Sequence, residues 1–440
     1  MNWVYHPELL ATPVPRYTSY PTAAEFRDGV GEQEMIEALD AVPAEAALSL
    51  YLHIPYCDQI CWYCGCNTGK ANKASRLASY LDALHAEIVL AGRRLAGRGR
   101  VTRIAFGGGS PNAIPAVDFA RLLDRLAAEF SLDKPVISVE IDPRTLTPDW
   151  LVALADAGVQ RVSLGVQTLA PEVQARIGRI QPEALIRRTV AGLRDAGVNS
   201  LNFDLMYGLP GQGLAEIGAT LAATAEMQPE RIAFFGYAHV PDLIPRQRRI
   251  EASALPDAEA RFRQAERGYL FLSEAGYRKI GFDHFALPHD PLATAARLGT
   301  LRRNFQGFTD DRGEFLLGLG ASAISSFPDR LVQNEKNAGR YRMLASSGRL
   351  PATRGVIRTT ADMARARTIE AILCRGSTEL VGAAFSESLE RLRPFQEAGL
   401  VCWSEGRIFL LPGSLPYARA IAACFDPYRH INARRFSSAI

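Results

Sequence analysis

Between residues 48 and 241, short apolar runs alternate with amphipathic helical stretches, and the unit recurs about six times. LSLYLHIPY (48–56), VTRIAFGGGSPN (101–112), VISVEIDP (136–143), RVSLGVQT (161–168), SLNFDLMYGLPGQ (200–212) and RIAFFGYAHVP (231–241) read as strands with their exit loops. Segments 75–95, 115–130, 149–158, 182–197 and 215–227 carry helical apolar spacing between them. Strands separated by helices pair in parallel and place the helices outside. The expected fold is therefore α/β, a (β/α)6-type partial barrel. In such folds function collects beyond the strand C-termini. Each run here ends in polar or glycine-rich residues, so groups scattered in sequence should converge at that edge.

The flanks read differently. Residues 1–45 form an irregular N-terminal arm, because Pro13, Pro15 and Pro21 break helices. The barrel occupies 46–290. The alternation then stops, and 291–355, with TLRRNFQGFTDD and GLGASAISSF, is a mixed connecting segment. Residues 356–440 form a mainly helical C-terminal domain with a hairpin near GLVCWSEGRIFLLP. The chain of 440 residues is 48% apolar and 22% charged, which suits a globular enzyme. A net charge of +3 is too small for a nucleic-acid binder. No apolar run is long enough to span a bilayer, and the N-terminus lacks an export pattern. A cytoplasmic protein with neither nucleic-acid nor membrane partners is expected.

The loop after the first strand carries the chemistry. Cys57, Cys61, Cys64 and Cys66 fall within ten residues, spaced C-x3-C-x2-C-x-C, in a chain with only seven cysteines. Thiolates wrapped around one compact centre are the ligands of iron–sulfur clusters. Three ligands would leave one iron open to a substrate or cofactor. Zinc sites use separated ligand pairs, and the remaining Cys374, Cys402 and Cys424 are isolated. An odd cysteine count without an export signal argues against a disulfide framework. The spacing favours iron–sulfur ligation over zinc.

Other signals sit at the same predicted edge. Gly107, Gly108 and Gly109 lead into Ser110 and Pro111 without the spacing of a dinucleotide or phosphate loop. Such glycines permit close backbone approach to a ligand or simply a tight turn. Glu140, Gln167 and Asp204 lie at or near strand ends, where they could bind hydroxyls or an amine. Arg179 is a candidate carboxylate partner or a solvated surface residue. His53, His239 and His284 lie in apolar or aromatic contexts, as core residues or proton relays.

Together these residues resemble the radical S-adenosylmethionine (SAM) superfamily, and within it the oxygen-independent coproporphyrinogen III oxidases. The likeness spans nearly the whole chain: PRYTSYPTA, YLHIPYC and the cysteines, GGGSP, VEIDPR, SLGVQ, FDLMYGLPGQ, YAHVP, GFDHFALP, RRNFQGFT and GASAIS. The resemblance implies that Cys57, Cys61 and Cys64 ligate a [4Fe–4S] cluster whose open iron binds SAM. Tyr51, Gly108, Glu140 and Ile324 match positions contacting this first SAM. Tyr63, Gly109, Ser110, Gln167, Arg179, Asp204 and Ala238 match positions around a second SAM. Cys66 matches an activity-linked cysteine that is not a cluster ligand, and Gln306 lies in the substrate-side motif. The implied substrate is coproporphyrinogen III, decarboxylated at two propionates to protoporphyrinogen IX. A flavodoxin or ferredoxin as electron donor and a monomeric state are also expected.

Two stretches depart from the family pattern. GGGSPN replaces the commoner GGGTPT, and EAILCRGSTELV (370–381) differs from a run in which an aromatic and an aspartate follow the cysteine. The second bears on substrate choice. The alternatives are a haem-binding chaperone of the same superfamily or a radical SAM enzyme acting on another tetrapyrrole. The chaperone carries an aromatic at the position of Cys66 and lacks RNFQGF and the arm, so those features favour the oxidase.

Overall fold

The computed structural model describes residues 3–71, 74–380 and 386–430. Its centre is six β/α repeats. In chain order these are β1 (Ala47–Ile54), α1 (Ala74–Leu95), β2 (Arg100–Gly108), α2 (Ala116–Glu129), β3 (Leu132–Ile141), α3 (Pro148–Asp156), β4 (Arg161–Gln167), α4 (Glu183–Asp195), β5 (Ser200–Tyr207), α5 (Leu214–Met227), β6 (Arg231–Gly236) and α6 (Ala258–Glu274). The six strands pair in sequence order, and every pairing is parallel. The expected (β/α)6-type architecture is the one observed.

Local chemistry explains the elements. Tyr80, Leu81, Leu84, Ile88, Ala91 and Leu95 recur at three- and four-residue spacing, so α1 buries one face on the sheet. Thr147 caps α3 by accepting from the Trp150 N–H, and Pro148 opens its first turn, where the missing N–H costs nothing. Along β5, Leu201, Phe203, Leu205 and Tyr207 are buried against the helices. The two-residue period turns Asn202 and Asp204 into the lumen. The same alternation in β3 and β4 points Glu140 and Ser163 inward.

The sheet continues past the barrel, to thirteen strands. An antiparallel hairpin, β7 (Arg302–Asn304) and β8 (Gly307–Thr309), leads into β9 (Phe315–Leu319), β10 (Ile324–Phe327), β11 (Arg330–Asn334) and β12 (Ala352–Ile357). β9 pairs parallel with β1, and β10 to β12 follow antiparallel. At the other edge, strands His284–Ala286 and Arg278–Ile280 follow β6 antiparallel. The loop after β8 closes one end of the lumen. Asp310 there is ion-paired to Arg103 and Arg161 at 2.8 Å each, and these pairs hold its carboxyl below the usual range despite burial.

The arm differs from its sequence reading: it carries a short helix, Pro7–Leu10, and a strand, Arg27–Asp28, that pairs antiparallel with β12. Pro21 is followed by a nine-residue helix, Glu32–Asp40, whose Glu34 side chain accepts the Gly31 N–H. No proline falls inside that segment, and Met35, Ala38 and Leu39 bury one face. The C-terminal part opens with α7 (Thr360–Arg375), capped by Thr359 and Asp362. It also carries helices Ser386–Glu397 and Ala418–Ala423 and the expected hairpin, Val401–Ser404 with Arg407–Leu410. Strand Ser377–Glu379 joins that hairpin as a third member that the sequence pattern does not reveal. Val381, at the end of the divergent run, lies outside the described residues. No helix among them is long and apolar enough to cross a membrane.

Candidate active site

The cysteine loop leaves β1 and wraps over the C-terminal ends of the neighbouring strands. Its backbone is anchored on both sides. The Gly109 and Ser110 N–H groups donate to Ile54 and Tyr56 carbonyls at 2.8 and 2.7 Å, and the Trp62 N–H donates to Ile177 at 3.1 Å. Gly108 has φ +111°, and a Cβ at Gly109 would collide with the Tyr56 carbonyl oxygen. The glycine turn is thus required for this loop to lie flat on β2.

The sulfurs of Cys57, Cys61 and Cys64 each have a hydrogen-bond partner. The Thr68 hydroxyl lies 3.2 Å from Cys57 Sγ. Arg144 Nη2 and Arg179 Nη1 both donate to Cys61 Sγ at 3.3 Å. The Cys66 N–H donates to Cys64 Sγ at 3.4 Å. Hydrogen bonding to Cys66 lowers the Cys64 thiol to about 6, while burial pushes Cys57 up to about 11. Thiol donors on one loop, with two guanidinium groups against the buried Cys61, fit an anionic cluster held by thiolates. Among the described residues, no three His, Cys, Asp or Glu side chains converge as the ligands of a single ion. A multi-iron cluster takes its thiolates on separate iron atoms and does not need that convergence.

Arg179 is buried, at 6% exposure. It also donates to Gln181 Oε1 at 3.0 Å, the Gly165 carbonyl at 2.6 Å and Asp142 at 3.4 Å. Asp142 pairs more closely with Arg144, at 2.6 Å. Burial raises the Asp142 carboxyl, but the two arginines outweigh it and hold it below the usual range. Asp142 and Arg144 stand in the VEIDPR run, yet sequence reasoning gave them no role. Gln247 was missed altogether. Almost fully buried, it donates to the carbonyls of Tyr63 (2.8 Å) and Ala238 (3.0 Å), tying the cysteine loop to the segment after β6. In sequence it is hidden within the charged run PRQRR.

A cavity of about 780 Å³ opens beside the loop. It gathers Tyr51, Cys66, Glu140, Gln306 and Ile324. Tyr51 contacts His53 Nδ1 at 3.1 Å, and burial lowers the His53 ring to about 4, so that ring is neutral at pH 7. The Gly108 N–H donates to Glu140 at 3.1 Å. Burial and the Asp204 carboxyl push Glu140 up to about 7. A smaller lumen cavity of about 200 Å³ shares Glu140 and Gln306 with the first and adds Asp204 and His284. Asp204 accepts from Ser163 at 2.9 Å and Asn202 at 2.8 Å.

The remaining candidates lie away from these cavities. Ser110 is buried and donates to Asn112 Oδ1 at 2.5 Å, while Asn112 holds the backbone of Asp142. Gln167 has φ +64° at an irregularity between β4 and β5, with its amide against Gly165. Tyr63 and Ala238 meet through Gln247. His239 contacts the Tyr237 hydroxyl at 3.0 Å.

Comparison with known proteins agrees with this arrangement. Residues 51–223 match the Radical SAM superfamily. The oxygen-independent coproporphyrinogen III oxidase of Bradyrhizobium diazoefficiens is 42% identical over 437 residues, covering 97% of each chain. The Escherichia coli oxygen-independent coproporphyrinogen III oxidase is 37% identical, covering 97% of this chain and 96% of the relative. A solved structure of the Escherichia coli coproporphyrinogen III oxidase (HemN), described as a radical SAM enzyme, superposes with TM-score 0.90 at 36% identity. That match covers 97% of this chain and 100% of the other. With the cysteine loop seated on the ends of six parallel strands, this chain belongs to the oxygen-independent coproporphyrinogen III oxidase family of the radical SAM superfamily.

Proposed function

We propose that this chain oxidatively decarboxylates two propionates of coproporphyrinogen III to vinyl groups without oxygen, giving protoporphyrinogen IX for haem synthesis. The observation that carries the reading is the cavity gathering Cys66, Glu140 and Gln306 at the cysteine loop. Family membership supports it. When bound, the [4Fe–4S] cluster and SAM would supply one-electron chemistry for hydrogen abstraction.

The protein's own residues bind, orient and exclude water. Cys57, Cys61 and Cys64 hold the cluster, and Arg144 and Arg179 offset thiolate charge at Cys61. Tyr51, Gly108, Glu140 and Ile324 hold the first SAM, with Glu140 fixed by the Gly108 N–H. Cys66 and Gln306, which both line the cavity, would face the substrate. A second SAM would sit among Tyr63, Gly109, Ser110, Gln167, Arg179, Asp204 and Ala238. Its weakest support is Arg179, whose donors already meet Cys61, Asp142, Gln181 and Gly165. We also read the chain as a cytoplasmic monomer reduced by a flavodoxin or ferredoxin. Its units are an arm (1–45), a barrel (46–290), a substrate-side segment (291–355) and a C-terminal domain (356–440).

The test is an anaerobic assay of the reconstituted, reduced protein with SAM and coproporphyrinogen III, following porphyrins and 5′-deoxyadenosine by mass. Protoporphyrinogen IX with 5′-deoxyadenosine is expected. SAM cleavage without decarboxylation would move the search to another tetrapyrrole. Neither product, with haem bound instead, would favour a chaperone. Gln306→Ala is expected to keep iron and lower porphyrin formation; loss of its iron would overturn the substrate-side role.

A further inference from the structure

A third cavity, about 480 Å³, lies where the arm, the β7–β8 hairpin, strands β9 to β11 and α7 meet. Phe305 and Leu316 line both this space and the cavity at the cysteine loop, so they form the partition between the two. The new space is dominated by guanidinium groups: Arg302, Arg303, Arg358, Arg367 and Arg375. Three acids, Asp311, Glu314 and Glu370, oppose them; Glu314 acts on Arg302 and Arg358 through space, and the other two are engaged in hydrogen bonds. Glu370 accepts from Arg302 Nε and the Arg303 N–H, each at 2.9 Å, and Asp311 accepts from Ser49.

The arginines are not merely a solvated face. Arg303 packs against the Phe308 and Phe282 rings, 4.3 and 4.9 Å from their centroids, and its side-chain bonds go to a backbone carbonyl of the arm, Arg16 O. Arg358 likewise bonds a carbonyl, that of Phe327. Neither has an acid as a hydrogen-bond partner. Arg303 Nη1 and Arg358 Nε are buried without any partner. Burial lowers the pKa of both, as expected of cations removed from water without full neutralisation. Buried donors left open and a local excess of positive charge fit carboxylates, which accept guanidinium N–H groups in a planar, two-point manner.

We propose that Arg302, Arg303 and Arg358 bind the propionate carboxylates of the substrate that do not react, while the reacting edge faces Cys66 and Gln306 across Phe305. This assignment rests on the proposed substrate and names the groups that fix its orientation. Orientation matters because the propionates are chemically alike: ring position alone must decide which come within reach of the radical. The arginines are positioning residues. They come from the substrate-side segment and the start of the C-terminal domain, so substrate binding would also draw those parts together.

The test is anaerobic binding of coproporphyrin III and of its tetramethyl ester to the iron-loaded protein, with turnover measured beside it. The wild-type protein should bind the acid at least about ten-fold more tightly than the ester, the effect of one charged hydrogen bond. Arg358→Gln and Arg302→Gln should erase most of that preference and raise KM, leaving iron content and SAM binding unchanged. Arg367→Glu, at an exposed position, should weaken acid binding with little risk to folding. It decides the matter if the other variants lose iron. Tight, unchanged acid binding in all three variants, with wild-type turnover intact, would overturn this inference and leave the proposed function standing. Absence of both porphyrin binding and turnover in the wild-type protein would instead overturn the function itself.

Discussion

The six parallel strands and the antiparallel flank meet at one cavity but supply it differently. In the parallel part, register does the placement. Glu140 lies opposite Ser163, and Gly165 opposite Asp204, so inward residues of adjacent strands fall at one level. The flank has no such rule. Ile324 comes from β10, Gln333 from β11 and Lys336 from the turn beyond, while Gln306 reaches in from the separate hairpin. The seam between them is sewn by α1. The Tyr80 hydroxyl donates to His53 O at 2.6 Å and accepts from the Ala321 N–H at 3.0 Å. Glu87, fully buried, accepts from the Gly320 N–H, Asn334 and the Tyr341 hydroxyl at 2.7, 2.6 and 2.5 Å. The repeat thus brings Cys66 and Glu140 to the cavity, and the flank, which buried polar bonds hold in place, brings Ile324 and Gln333.

Within the repeat's own loop, the sharpest test is at the cysteines, where Cys57, Cys61 and Cys64 are proposed to hold the cluster and Cys66 to face the substrate. Cys57→Ala, Cys61→Ala or Cys64→Ala should abolish iron loading and all SAM cleavage. Cys66→Ala should keep iron and lose porphyrin oxidation. Iron analysis and 5′-deoxyadenosine yield separate the cases, and iron loss from Cys66→Ala would break the division.

The seam has a pH signature. Burial pushes the Glu87 carboxyl up to about 7, above its unfolded value near 4.5. The native state therefore holds the proton more tightly, and stability falls as pH rises from about 4.5 to 7. The size is about 3 kcal/mol, from 1.36 kcal/mol per pKa unit. Glu87→Gln should flatten this slope in denaturant unfolding compared with wild type. An unchanged slope would assign the titration elsewhere.

Arg179→Met removes one of two guanidinium groups from Cys61 and several buried bonds. It should cost about 2 kcal/mol, seen as a lower anaerobic melting temperature and faster iron loss to a chelator. Arg144 remains on Asp142, so collapse is not expected. The smallest effect is at Tyr51→Phe, which gives up the contact with His53. It should cost about 1 kcal/mol or less and leave iron content unchanged. A large loss of SAM affinity there would mean that the hydroxyl itself binds the cofactor.

The alternating period determined the barrel in advance, because a two-residue strand repeat and a 3.6-residue helix repeat are local properties of the chain. The cysteine loop was legible for the same reason: its four cysteines lie within ten residues. Glu140 and Asp204 were legible through the rule about strand ends, and the structure turns both into the lumen. The helix Glu32–Asp40 was hidden by the prolines before it, and strand Ser377–Glu379 by its brevity. Contacts across long separations left no local trace. Arg179 meets Cys61 from 118 positions away, and Gln247 reaches Tyr63 from 184. Arg302 and Arg358 share a cavity only because β9 to β12 extend the sheet and α7 folds back on the hairpin. Sequence by itself determined the repeat and the clustering of cysteines in one loop. Tertiary structure alone decided which charges lose their water and which must then find a partner, since burial is a property of the packed chain.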